Sequence, residues 1–102
     1  MKCCNFPMIK ASLVAVATGT TTITIPATVT PTAGAIYNVI LSTPIPAGTD
    51  GTQIVITNGT VSGTVMNCIG NYYRAYPLTS RSVLRVQFFD APAHFQILNP
   101  RW

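Results

Sequence analysis

Apolar and polar residues alternate with a period of two along most of this chain. The clearest case is residues 52–66, TQIVITNGTVSGTVM. It predicts two β-strands joined at Asn58-Gly59. Both central residues of a type I′ turn need positive φ, and Asn and Gly tolerate that best. Ile54 and Ile56 fall on one face of the first strand. Val61, Gly63 and Val65 fall on one face of its partner. A glycine at position 63 implies a bulge or a close backbone approach.

The same alternation places the other strands. Residues 11–18 (ASLVAVAT) form a strand ended by Gly19. Residues 20–25 (TTTITI) alternate cleanly, with Ile23 and Ile25 inward and Thr22 and Thr24 outward. Prolines make residues 26–34 a loop, because proline cannot join a central ladder. Residues 35–42 (AIYNVILS) are apolar on both faces. That predicts a central strand, or one covered by a second layer. Residues 43–51 are turn-rich and end on Asp50-Gly51.

After Cys68 the chain becomes aromatic, with GNYYRAY at 70–76. Residues 77–82 are a loop. Residues 82–89 (SVLRVQFF) put Leu84, Val86 and Phe88 inward and Arg85 and Gln87 outward. Asp90-Ala91-Pro92 is a turn, and residues 93–98 (AHFQIL) are the last strand, with Phe95 and Ile97 inward. No stretch carries a capped 3.6-residue period, and no internal repeat is visible. Seven or eight short strands, spaced at about 8–12 residues, predict an all-β fold. The expected architecture is a compact antiparallel β-sandwich or small barrel. Residues 1–10 are expected to be an N-terminal arm, with Phe6 and Met8 apolar enough to dock on a neighbour. Residues 11–102 make one β domain.

Composition sharpens this picture. The chain has 102 residues and 48% of them are hydrophobic, enough to build a core. Only 8% are charged, against about 25% in an average soluble chain. There is no Glu, and the only acids are Asp50 and Asp90. So few charges cannot cover an ordinary soluble surface. Either the surface is neutral and rich in Thr and Asn, as in some extracellular β domains, or much of it faces other subunits, and the second reading is favoured. The net charge of +4 comes from few acids rather than many bases, which is a weak signal for nucleic acid.

Three cysteines, Cys3, Cys4 and Cys68, are an odd number, and two are adjacent. They read as free thiols in a reducing compartment. Lys10 interrupts the apolar run at 9–17, so no signal peptide is expected there. Nothing approaches the roughly 20 apolar residues of a membrane helix.

The candidate chemistry is thin. Asp50 and Asp90 stand about forty residues apart in different turns, which does not suggest an acid–base pair. His94, the only histidine, alternates outward on its strand and lacks triad partners. Ser80 and Ser82 beside Arg81 have no nucleophile-elbow pattern. Cys3, Cys4, Cys68 and His94 lack the spacing of a zinc site. The glycines of AGTDGT lack the lysine and helix of a phosphate loop. No enzyme, metal or cofactor is expected. Asn58-Gly59-Thr60 is formally a glycosylation sequon, but reads more simply as the hairpin turn.

One region is richer. Arg74, Arg81, Arg85 and Arg101 lie among Tyr72, Tyr73, Tyr76, Phe88, Phe89, Phe95 and Trp102. Small β folds hold single-stranded nucleic acid with arginine and stacking rings. Tyr and Arg are also the anchors of protein interfaces. The region has no lysine and the charge is mild, which favours protein contacts over nucleic acid. The interface candidates are Tyr72, Tyr73, Arg74, Tyr76, Arg81, Arg85 and Trp102. A third reading makes Tyr72, Tyr73 and Trp102 a carbohydrate-binding platform.

The Thr/Val/Ala strands, the PIPAGTDGTQIVITNGTVSG stretch and the SRSVLRVQFFD strand together resemble small β-rich accessory proteins of tailed-phage virions. Capsid auxiliary (decoration) proteins, including those of crAss-like phages, are the family meant. The resemblance is one of texture over most of the chain and includes no invariant motif, so it assigns no functional residue. It implies a structural role in the virion, after assembly in the host cytoplasm. Many copies would bind a capsid, and the partners would be the chain itself, a major capsid protein, or both.

Overall fold

The structure is a computed structural model, and it describes residues 7–17, 19–47, 53–67, 70–71 and 77–98. Among these residues the fold is all-β, without helix. Nine strands are present: β1 (Met8–Lys10), β2 (Leu13–Ala17), β3 (Thr20–Thr24), β4 (Ile36–Ile40), β5 (Gln53–Thr57), β6 (Ser62–Asn67), β7 (Gly70–Asn71), β8 (Val83–Asp90) and β9 (Ala93–Ile97). They form one sheet in the order β1-β4-β8-β9-β6-β5-β3-β2, with the two-residue β7 pairing with β6 beside this path. The sheet is curled into a half-barrel.

The sheet is mixed rather than antiparallel throughout. The β1–β4, β3–β5 and β6–β9 pairs are parallel, and the rest are antiparallel. Parallel neighbours need long crossovers, so no local turn signal announces them.

The period-two pattern selects the inner face. Val14, Ile23, Ile54, Ile56, Val65, Phe95, Phe88, Val86, Leu84, Val39 and Ile9 are all buried and face one another across the curl. The Phe88 and Phe95 rings meet at 5.0 Å with a 50° tilt, a favourable aromatic arrangement. Gly63 lies directly opposite Ile56. A Cβ there would stand 2.9 Å from Phe95 Cδ1 and 3.0 Å from the His94 Cα. The glycine is therefore a site of close approach, one of the two roles its position in a strand predicts.

The β5–β6 hairpin forms where the sequence places it, but not with the expected turn. Gly59 has φ of +94°, while Asn58 is not in the positive-φ region. The type I′ expectation is therefore corrected. The turn is centred one residue later, on Gly59-Thr60, and is closed by the Asn58 amide donating to the Val61 carbonyl (3.1 Å). The Asn58 side chain organises it. Its Oδ1 accepts from the amides of Thr60 (2.9 Å) and Val61 (2.7 Å), and its Nδ2 donates to the Val29 carbonyl (2.8 Å). Local backbone capture of this kind is what Asn offers in place of αL geometry.

The residues expected as an arm end in an ordered element. Residues 1–6 lie outside the described residues, whereas Met8–Lys10 pairs with β4 and buries Ile9. The chain then changes partners within two residues. The Ala11 amide donates to the Ile40 carbonyl on β4, and the Ser12 amide donates to the Thr24 carbonyl on β3. Residues 8–17 thus join the two ends of the strand path at one corner. β4 accordingly lies between β1 and β8, one strand in from the edge. Beyond the ladder, Ile45 and Leu78 exchange backbone bonds of 2.8 and 2.7 Å and both are buried, so two loops extend the β4–β8 pairing.

Candidate functional site

The outer face follows from the same alternation. Its registered rows run across the sheet. One row reads Ala15, Thr22, Val55, Thr64, His94 and Phe89. Another reads Leu13, Thr24, Thr57 and Ser62. Five adjacent strands, β9, β6, β5, β3 and β2, contain no Lys, Arg, Asp or Glu. Within the strands, charge is confined to Lys10 on β1 and to Arg85 and Asp90 on β8. Among the described residues, the outer face of these five strands is therefore a neutral surface of threonine, alanine, valine and glutamine.

At the end of that surface lies β2. Leu13 is 57% exposed and Val16 47%. Ala15 and Ala17 are also exposed, and only Val14 of this strand is buried. Among the described residues, β2 pairs with β3 on one side and with no strand on the other. In an antiparallel pair, alternate residues direct N–H and C=O away from the partner, so such an edge carries unpaired backbone groups.

The opposite part of the outer face is polar and interlocked. Asn38 on β4 is buried at 3% exposure, and its Oδ1 accepts from Arg85 Nε at 3.1 Å. Its backbone amide donates to the Pro7 carbonyl. Gln87 Nε2 donates to the Gly34 carbonyl at 2.9 Å. At the β8–β9 turn, which contains a cis Ala91–Pro92 bond, the Phe89 ring stacks on His94 at 5.2 Å. His94 Nδ1–H donates to the Pro92 carbonyl (2.7 Å). That bond puts the proton on Nδ1 and leaves Nε2 as an acceptor in the neutral ring.

Two of the seven interface candidates fall within the described residues. Arg85 sits half-buried on the outer face of β8 and is engaged with Asn38. Arg81 is exposed in the loop before β8. Its φ is +69°, and its amide donates to the Leu41 carbonyl (2.8 Å). Tyr72, Tyr73, Arg74, Tyr76 and Trp102 lie outside the described residues, as do Cys3, Cys4, Cys68 and Asp50. No group of three or more His, Cys, Asp or Glu that could hold a metal ion occurs among the described residues.

The arginine and aromatic candidates do not mark where the neutral strands or the β2 edge lie. The signal was present as an absence of charge, but only strand order makes five uncharged segments adjacent. Asn58 also changes meaning. Its Nδ2 is the atom a glycan would need, and it is bonded within a site only 8% exposed. The folded sequon is therefore closed to modification. No family model, curated protein or solved structure matches this chain.

Proposed function

We propose that this chain is a non-enzymatic structural protein that acts by assembly, as a virion accessory protein carried in many copies on a phage capsid. The observation that carries the reading is the uncharged outer face spanning β9, β6, β5, β3 and β2. Burying threonine, valine and alanine against a partner removes no ion from water, whereas each buried charge must be re-paired at a cost of several kcal/mol, roughly. Interface centres are depleted in Lys, Glu and Asp for that reason. The resemblance in texture to capsid accessory proteins points the same way. The partner is the chain itself, a major capsid protein, or both. Tyr72, Tyr73, Arg74, Tyr76, Arg81, Arg85 and Trp102 remain candidates for a second contact zone.

The test is light-scattering mass on a sizing column, with absorbance at 260 and 280 nm followed across the peak. A protein-only peak at a small multiple of the chain mass, unchanged by moderate salt, is the expected result. A monomer that carries nucleic acid and loses it in high salt would contradict the reading, because counterion release makes phosphate binding steeply salt-dependent.

A further inference from the structure

We infer that the free edge of β2 pairs antiparallel with β2 of a second copy across a two-fold axis at Ala15. The inference rests on the assembly reading and names its first contact.

Three observations select this occupant. The edge is unguarded: Leu13–Ala17 contains no charge and no proline, and Leu13, Ala15, Val16 and Ala17 are exposed. Proteins that must keep a strand edge unpaired place lysine, proline or a covering loop there. The edge is also self-complementary. A two-fold at Ala15 sets Leu13 against Ala17 and Val14 against Val16. Large then meets small on the outer face and valine meets valine on the inner face, the kind of cross-strand match that stabilises a ladder. Finally, charge permits the contact. The chain carries a net +4, so two copies repel in general. The strands on β2's side of the sheet, β3, β5 and β6, are uncharged. Among the described residues, approach through β2 brings uncharged strand to uncharged strand, with Lys10 outside the five paired positions, and the pairing continues the uncharged strands from one copy into the next. A two-fold contact is isologous, with each copy offering the same strand.

A pairing of five residues a side buries less than the roughly 1,200 Å² of a standard stable interface. The dimer is therefore expected to depend on protein concentration.

The test uses opposite charges at the axis. Ala15→Lys and Ala15→Asp each place like charges face to face in the dimer, and each weakens self-association by about tenfold or more. Circular dichroism checks that both variants keep the β fold, as an exposed edge position allows. Mixing the two variants puts Lys beside Asp and restores a dimer, seen in native mass spectrometry as one copy of each. Loss in each variant and rescue in the mixture is the expected result. If both variants associate as the wild type does, or if the mixture fails to recover, the β2 pairing is overturned while assembly through another surface stands. A protein-only monomer of wild type at every concentration overturns the pairing as well. Failure of the assembly reading itself shows differently, as nucleic acid travelling with the wild-type peak.

Discussion

The Asn58 side chain bonds three backbone groups. It satisfies the amides of Thr60 and Val61 and reaches across to the Val29 carbonyl. Asn58→Ala leaves two donors and one acceptor in a part-buried loop without these partners, at a cost of about 1–3 kcal/mol. Asn58→Asp keeps the two amide bonds but sets a carboxylate oxygen against the Val29 carbonyl, so its loss reports the Val29 contact alone. Urea denaturation of both variants measures the difference, and equal losses would show that the Val29 contact dominates. Gly63→Ala is a second test at this scale. Its Cβ would meet Phe95 and the His94 backbone at 2.9–3.0 Å, so the expected destabilisation is about 1–3 kcal/mol, as for other overpacked cores. Phe95→Leu in the same chain should recover part of the Gly63→Ala loss. A purely additive double mutant would place the clash on the backbone of His94. Sequence alone marks both residues as special. It misassigns the turn at Asn58 because an Asn-Gly pair suits several hairpin loops, and the side-chain bond to Val29 comes from a residue far away in sequence.

At the scale of elements, the strands with strong Thr/Ile or Val/Phe alternation were legible. β3, β5, β6, β8 and β9 appear where the pattern puts them, with the expected residues inward. β1 was not legible as a strand. Three residues are too few for a period, and its partner β4 lies far along the chain. The three parallel pairings were hidden for the same reason, since they depend on crossovers rather than turns. β1 offers a test of its own. Removing residues 1–6 leaves the β1–β4 ladder in place, including the Pro7 carbonyl that accepts from the Asn38 amide, whereas removing residues 1–10 also removes Ile9 from the core. The second truncation should cost about 2–3 kcal/mol more than the first, the value of burying one isoleucine. Equal urea midpoints for the two truncations would show that β1 contributes nothing to stability.

Across the described strands, the organising fact is the division of charge. The β1–β8 side carries Lys10, Arg85 and Asp90, and the remaining strands carry none. Single segments of the sequence look merely polar and unremarkable, and the neutral face emerges only when the strand order sets them side by side. Association through such a face has little Coulomb energy to screen. Its apparent mass should stay the same as salt rises from low to moderate concentration, a result sedimentation velocity can check. Contacts carried by the arginines would weaken over that range.

Amide hydrogen exchange on the wild-type chain, dilute and concentrated, tests the use of the neutral face most directly. Peptides spanning residues 11–25 report on β2 and β3, and peptides spanning residues 70–82 report on the arginine–tyrosine stretch. The account predicts that the β2 amides gain protection as protein concentration rises and that added oligonucleotide changes nothing there. If β2 exchanges alike at all concentrations while residues 70–82 are protected by oligonucleotide, the neutral face is not the working surface and the assembly account is contradicted.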